Sequence, residues 1–214
     1  MALKLYFLRH GQTTLSRDNL FCGSGTNPAL TAEGAKMAQA FADYYKSIAW
    51  DAVYCSPLAR AVATAHPLAA HLKTKITPRD ELKEIFFGSW EGQSVAEVDR
   101  LYHDDYIRWS ADPAWNAPSG GGETSINIAR RSRVLTEEIR STKTDGNVLL
   151  ISHKATIRIM LCDLLGIDVS RFRDRLSCPV ASVSVVEFGG RGPLLKTLAD
   201  REHLSKELRE LPGT

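Results

Sequence analysis

Three short apolar runs in this chain each end in residues able to do chemistry, and a helical pattern follows each. Lys4–Leu8 runs into Arg9-His10-Gly11, Asp51–Cys55 into Ser56-Pro57-Leu58-Ala59-Arg60, and Asn147–Ser152 into His153. Runs of this length suit strands buried on both faces. Behind a Thr31 cap, Ala35, Ala38, Ala42 and Tyr45 share one face of a helix from Ala32 to about Lys46. Ile157, Met160, Leu161, Leu164 and Leu165 share a face of a second, Lys154–Leu165, which Gly166 ends. Strands alternating with helices predict an α/β fold, a three-layer α/β/α sandwich with a mostly parallel central sheet.

The rest of the chain fits the same frame. Ser56-Pro57 reads as an N-cap and first turn of a helix to about His71. Lys75–Thr77 is a short strand, and Glu81–Gly92 is a loop. Helices are expected from Ser94 to about Trp109 and from Thr124 to about Ser141, separated by a breaker cluster ending in Gly120-Gly121-Gly122. Ala181–Phe188 and Leu194–Leu198 read as strands joined at Gly189-Gly190. We expect one domain, 1–214, with a small helical cap insertion at about 88–123 and a docking tail at about 200–214 carrying Leu204, Leu208 and Leu211.

Composition narrows the function. A chain of 214 residues, 43% hydrophobic, builds its own core without staples. A net charge of +2 argues against nucleic acid or a membrane surface as main partner. No stretch reaches the ~18 apolar residues of a membrane span. The apolar start runs straight into Arg9-His10 without a cleavage site, so it does not read as a signal peptide. Cys22, Cys55, Cys162 and Cys178 form no zinc pattern and read as reduced thiols of a cytoplasmic protein.

Open α/β sheets bind ligands beyond the carboxyl ends of their strands. Arg9, His10, Arg60 and His153 converge there. Two arginine forks and helix starts make a phosphate pocket. A histidine in such a pocket can attack phosphorus, and a carboxylic acid at its mouth can protonate the leaving oxygen.

These residues sit in a string of motifs. They are Leu8-Arg9-His10-Gly11-Gln12-Thr13, Pro28–Gly34, Tyr54–Ala61, Glu81-Leu82-Lys83-Glu84, Gly88–Gly92, Gly121–Thr124 and Ile151-Ser152-His153. The set resembles the histidine phosphatase, or phosphoglycerate mutase-like, superfamily over nearly the whole chain. The resemblance implies that His10 is the phosphorylated nucleophile. Arg9, Arg60 and His153 would complete the phosphate pocket, and Glu84 would be the acid and then the base. Glu81 and Glu91 are the competing carboxylates, and Glu123 is read as either a ligand contact or a helix-capping residue. No metal or other cofactor is implied. Ser16 stands where many members carry asparagine, as a shorter phosphate donor, and Cys22 stands where many carry glutamine.

The Phe87–Gly92 loop and the chain length resemble the phosphatase branch. Asp105–Trp109 and Glu202-His203-Leu204 resemble metal-independent phosphoserine phosphatases. In that group one histidine before the loop glycine and one near the C-terminus recognise the amino acid. His203 matches the second, while Phe87 occupies the first. A small phosphorylated metabolite is therefore the expected partner, with phosphoserine leading. A broad-specificity or α-ribazole phosphate phosphatase, a mutase, or a non-catalytic phosphate binder are the alternatives, and a homodimer is allowed for.

Overall fold

Leu3–Arg9 forms the first strand (β1), and it lies between two partners in the middle of a six-stranded sheet. The structure is a computed structural model that describes residues 2–72 and 75–213. Its other strands are β2 (Ala52–Cys55), β3 (Ile76–Pro78), β4 (Gly146–Ser152), β5 (Val183–Gly189) and β6 (Gly192–Asp200). The helices, in chain order, are α1 (Thr14–Arg17), α2 (Ala32–Tyr45), α3 (Ala59–Ala69), α4 (Val95–Leu101), α5 (His103–Ala111), α6 (Ser125–Thr142), α7 (Lys154–Leu165), α8 (Phe172–Arg175) and α9 (Lys206–Glu210).

The strand order is β3-β2-β4-β1-β5-β6. The first four strands of that order run parallel, and β5 and β6 join antiparallel. Alternate residues face opposite layers. Leu3, Leu5 and Phe7 meet Val148 and Leu150 under Ile128, Leu135, Ile139, Ile157 and Leu161 of α6 and α7. Leu8, Val53, Cys55, Leu149 and Ile151 face Phe41, Ala42, Ala61, Ala65 and Leu68 of α2 and α3. This is the predicted α/β sandwich with a mostly parallel sheet.

Register places the chemistry. Arg9 pairs with Ser152 across β1 and β4, and Cys55 pairs with Ile151 across β2 and β4. The next residues, His10, His153 and Ser56, therefore leave the sheet side by side, on strands about 4.8 Å apart.

Several boundaries differ from expectation. α3 starts at Ala59, not Pro57, and its first N–H is capped at 2.8 Å by the Asn27 side chain from another loop. The cap position is Leu58, not Ser56, whose hydroxyl lies 2.7 Å from His153 Nε2 and accepts from the Leu58 N–H at 3.4 Å. The expected Ser94–Trp109 helix is two, since Tyr102 leaves helical conformation between α4 and α5. The strand expected from Ala181 starts at Val183, because Ala181 has a φ of 54° and stays outside the ladder. Around Trp90, which is fully buried, Phe21, Tyr106 and Trp109 stand at 5.4–5.9 Å between ring centres. The tail docks: Leu204 is buried, and Leu208 and Leu211 pack with it on Met37 and Val180. No helix among the described residues is long and apolar enough to cross a membrane.

Candidate active site

His10 leaves β1 with its backbone N–H donating to the Ser152 carbonyl at 3.0 Å. Its Nδ1 lies 2.7 Å from the Gly11 carbonyl oxygen. A carbonyl only accepts, so Nδ1 carries the proton and Nε2 carries the lone pair. Burial, then the charges of Arg60 and Arg9, hold His10 well below the ordinary histidine range. The ring is therefore neutral at physiological pH, with one nitrogen ready to attack.

His153 lies beside it, the ring centres 5.1 Å apart. Arg60 Nε donates to His153 Nδ1 at 3.1 Å. A guanidinium only donates, so His153 carries its proton on Nε2, which donates to Ser56 Oγ. Burial and the charges of Arg60 and His10 hold His153, too, well below the usual range. The other ends of the Arg60 fork reach the Thr26 and Gly23 carbonyls at 3.0 and 2.9 Å. Arg60 and His153 are fully buried behind His10 and do not line the cavity in front of it.

That cavity measures about 200 Å³ and is lined by Arg9, His10 and Glu84 with an apolar wall of Phe21, Phe87 and Trp109. Arg9 Nη1 donates to the Cys178 carbonyl at 2.7 Å. Burial brings Arg9 down to about 10, which leaves it charged at neutral pH.

Glu84 sits where the loop between β3 and α4 meets the start of α7. Its Oε1 accepts from the Ile85 and Thr156 N–H groups at 2.9 and 3.0 Å and from the Thr156 hydroxyl at 3.0 Å. Oε2 accepts from the Ala155 N–H at 3.1 Å. The competing carboxylates are engaged elsewhere. Glu81 pairs with Arg79 at 2.9 Å. Glu91 accepts from the Gly25 and Phe87 N–H groups at 2.9 and 3.2 Å. Glu123 accepts from the Phe86 N–H at 2.9 Å and from Arg131 at 3.2 Å, a structural tie, while Thr124 caps the helix.

Ser16 and Phe87 line the cavity as well. The Ser16 hydroxyl is held in a capping box, donating to the Thr13 carbonyl at 3.0 Å and accepting from its N–H at 2.9 Å. Phe87 stands edge-on to Phe21 at 5.0 Å. His203 is a correction. It does not line the cavity and is buried among the rings of Phe41, Tyr44 and Tyr45. The turn after β6 folds this segment onto α2, and burial brings His203 down to about 4. His66, His71 and His103 are exposed, and all four cysteines are unpaired.

Four residues were not foreseen. Arg131 of α6 donates to the Glu81 and Lys83 carbonyls at 2.6 Å and to that of Glu84 at 3.3 Å, so it shapes the loop carrying Glu84. Lys154, Arg158 and Arg173 line the cavity. The i, i+4 spacing of Lys154 and Arg158, directly after His153, was the available signal for two of them.

Comparison with known proteins gives the family. The model of the histidine phosphatase superfamily (branch 1) matches residues 5–201. Phosphoserine phosphatase 1 of Hydrogenobacter thermophilus is 30% identical over 204 residues, 95% of each chain. The adenosylcobalamin/alpha-ribazole phosphatase of Escherichia coli is 27% identical, over 77% of this chain and 80% of its own. Some mycobacterial relatives are longer, and this chain spans 51% of their length. The solved mycobacterial glucosyl-3-phosphoglycerate phosphatase superposes with a TM-score of 0.84 at 25% identity, over 94% of this chain and 100% of that one. The chain thus belongs to the histidine phosphatase superfamily, branch 1, and is a phosphatase of that family.

Proposed function

We propose that the chain hydrolyses phosphate monoesters of a small metabolite through a phosphohistidine on His10, without a metal ion, and that phosphoserine is the leading substrate. The observation that carries this reading is the neutral His10 ring with its proton held on Nδ1 by the Gly11 carbonyl. Only Nε2 can then attack.

The Nε2 lone pair forms a bond to phosphorus as the bond to the leaving oxygen breaks. The Glu84 carboxyl gives a proton to that oxygen. Water then attacks the phosphohistidine, Glu84 takes the water's proton, and the N–P bond breaks to return neutral His10. Splitting the reaction in two matters because uncatalysed phosphomonoester hydrolysis is extremely slow. Arg9 on the cavity wall, with the charge of the buried Arg60 beyond it, supplies the positive charge that a metal would otherwise bring.

Cavity size favours a small ester. About 200 Å³ falls below the ~300–1,000 Å³ of pockets for drug-sized ligands. That supports phosphoserine over the bulkier α-ribazole phosphate, as does the name of the Hydrogenobacter relative; the Escherichia coli relative supports the second reading. Four unpaired thiols fit a cytoplasmic setting.

Phosphate release from phosphoserine, phosphothreonine, 3-phosphoglycerate, α-ribazole phosphate and p-nitrophenyl phosphate, in excess chelator, tests the reading. Fast release from phosphoserine is expected, together with a phosphoenzyme that survives base and is lost in acid. His10→Ala should lower kcat by ~10⁴-fold or more. Activity restored only by magnesium would overturn the metal-free mechanism. A base-labile, acid-stable adduct would mean an acyl phosphate instead. A preference for α-ribazole phosphate would select the second reading.

A further inference from the structure

The two positions expected to recognise an amino acid offer no polar contact in the cavity. Phe87 is apolar, and His203 lies among aromatic rings outside it. Three cations occupy the wall instead. Lys154 opens α7, Arg158 follows one turn later, and Arg173 comes from α8. None of the three has a part in the chemistry above. They also border a second hollow beside Leu176 and Cys178.

Two of these side chains are held in place. Arg158 is 7% exposed, and its Nε donates to the Phe172 carbonyl at 2.8 Å while Nη2 donates to the Arg173 carbonyl. The Arg173 guanidinium lies over the Trp109 ring, 4.2 Å from its centre. Among the described residues, the Lys154 ammonium makes no side-chain hydrogen bond or ion pair. Among the described residues, no aspartate or glutamate pairs with any of the three. Glu84 is the one carboxylate on the cavity wall, and the start of α7 already holds it. Like charges gathered in a partly buried wall repel one another unless an anion joins them. Burial first, then the charges of Arg9 and Arg158, bring Lys154 down to about 8.

We propose that Lys154, Arg158 and Arg173 form a second anion subsite that holds a carboxylate of the ester. Substrates would then be phosphate monoesters of small hydroxy acids or hydroxy amino acids rather than of neutral alcohols or amines. The proposal rests on the phosphatase reading and narrows its substrate class.

Matched ligand pairs test it. Phosphoethanolamine is phosphoserine without the carboxylate, and glycerol 3-phosphate is 3-phosphoglycerate with an alcohol in its place. Calorimetric titration of the His10→Ala protein reads affinity without turnover. The carboxylate member of each pair should bind ~10–100-fold tighter, as expected for hydrogen bonds between charged groups. Lys154→Met and Arg173→Gln should each reduce that ratio several-fold. Lys154→Met breaks no side-chain hydrogen bond or ion pair among the described residues, so it keeps the test open if Arg173→Gln unfolds. Equal affinity within both pairs, or a ratio untouched by the substitutions, overturns the subsite. A failure of the phosphatase reading looks different, namely no phosphate release by the wild-type enzyme from any ester.

Discussion

A Cβ on Gly11 would stand 2.4 Å from the Gly34 carbonyl oxygen, and one on Gly34 would stand 2.1 Å from the Gln12 carbonyl oxygen. The loop that carries His10 thus lies backbone against backbone on the first turn of α2. Thr31 caps that turn by accepting from the Gly34 N–H at 3.0 Å, and its hydroxyl donates to Gln12 Oε1 at 2.8 Å. The Pro28–Gly34 motif is therefore the seat of the nucleophile loop, although it contributes no reacting atom.

Gly34→Ala should push this loop off its seat, because the obstructing atom is backbone and cannot rotate away. Overpacking of this kind costs about 1–3 kcal/mol. For a chain of this size that lowers Tm by roughly 2–12 °C. Thermal unfolding checks it, and an unchanged Tm would mean the two segments separate freely.

Glu84→Gln should lower kcat ~10²–10⁴-fold while KM moves little, because proton donation is needed only in the transition state. The shape of the side chain is kept. Steady-state kinetics with phosphoserine separates the two constants. A rise in KM with kcat unchanged would make Glu84 a binding residue.

Arg131→Met should weaken both fold and activity, since it leaves the carbonyls of Glu81, Lys83 and Glu84 without their donor. Urea unfolding should report a loss of about 2–4 kcal/mol from several charge-assisted hydrogen bonds. The loss of kcat should be ~10-fold in the wild type and nearly absent in Glu84→Gln, because Arg131 acts through Glu84. Equal effects in both backgrounds would leave Arg131 a purely structural role.

Acid should destabilise the protein in a defined window. His10, His153 and His203 are all held below the ordinary histidine range by burial. In the unfolded chain each takes up a proton below about pH 6.5. The unfolded state then binds more protons than the folded one, so stability is complete above that pH and falls as pH drops. The slope is roughly 1.4 kcal/mol per pH unit for each histidine. Urea midpoints at pH 7.5 and 5.5 check this, and a midpoint independent of pH would show that the rings protonate in the folded state.

Local pattern carried much of the site. Arg9, His10 and His153 were legible because a buried strand is a short apolar run, and the residue that follows it lies on the ligand edge of the sheet. The start of α3 was not, since its first N–H takes the Asn27 side chain from another loop and frees Ser56 for His153. His203 was misplaced because nothing near it in sequence shows that α2 covers it.

The sequence by itself determined the alternation of strands and helices, and with it which residues meet at the sheet edge, because periodicity and strand ends are properties of neighbours along the chain. Only the tertiary structure decided which carboxylate faces the cavity, which arginine shapes its loop from 48 and 50 positions away, and which cations line the wall. Those contacts depend on how distant segments pack, and no spacing along the chain encodes them.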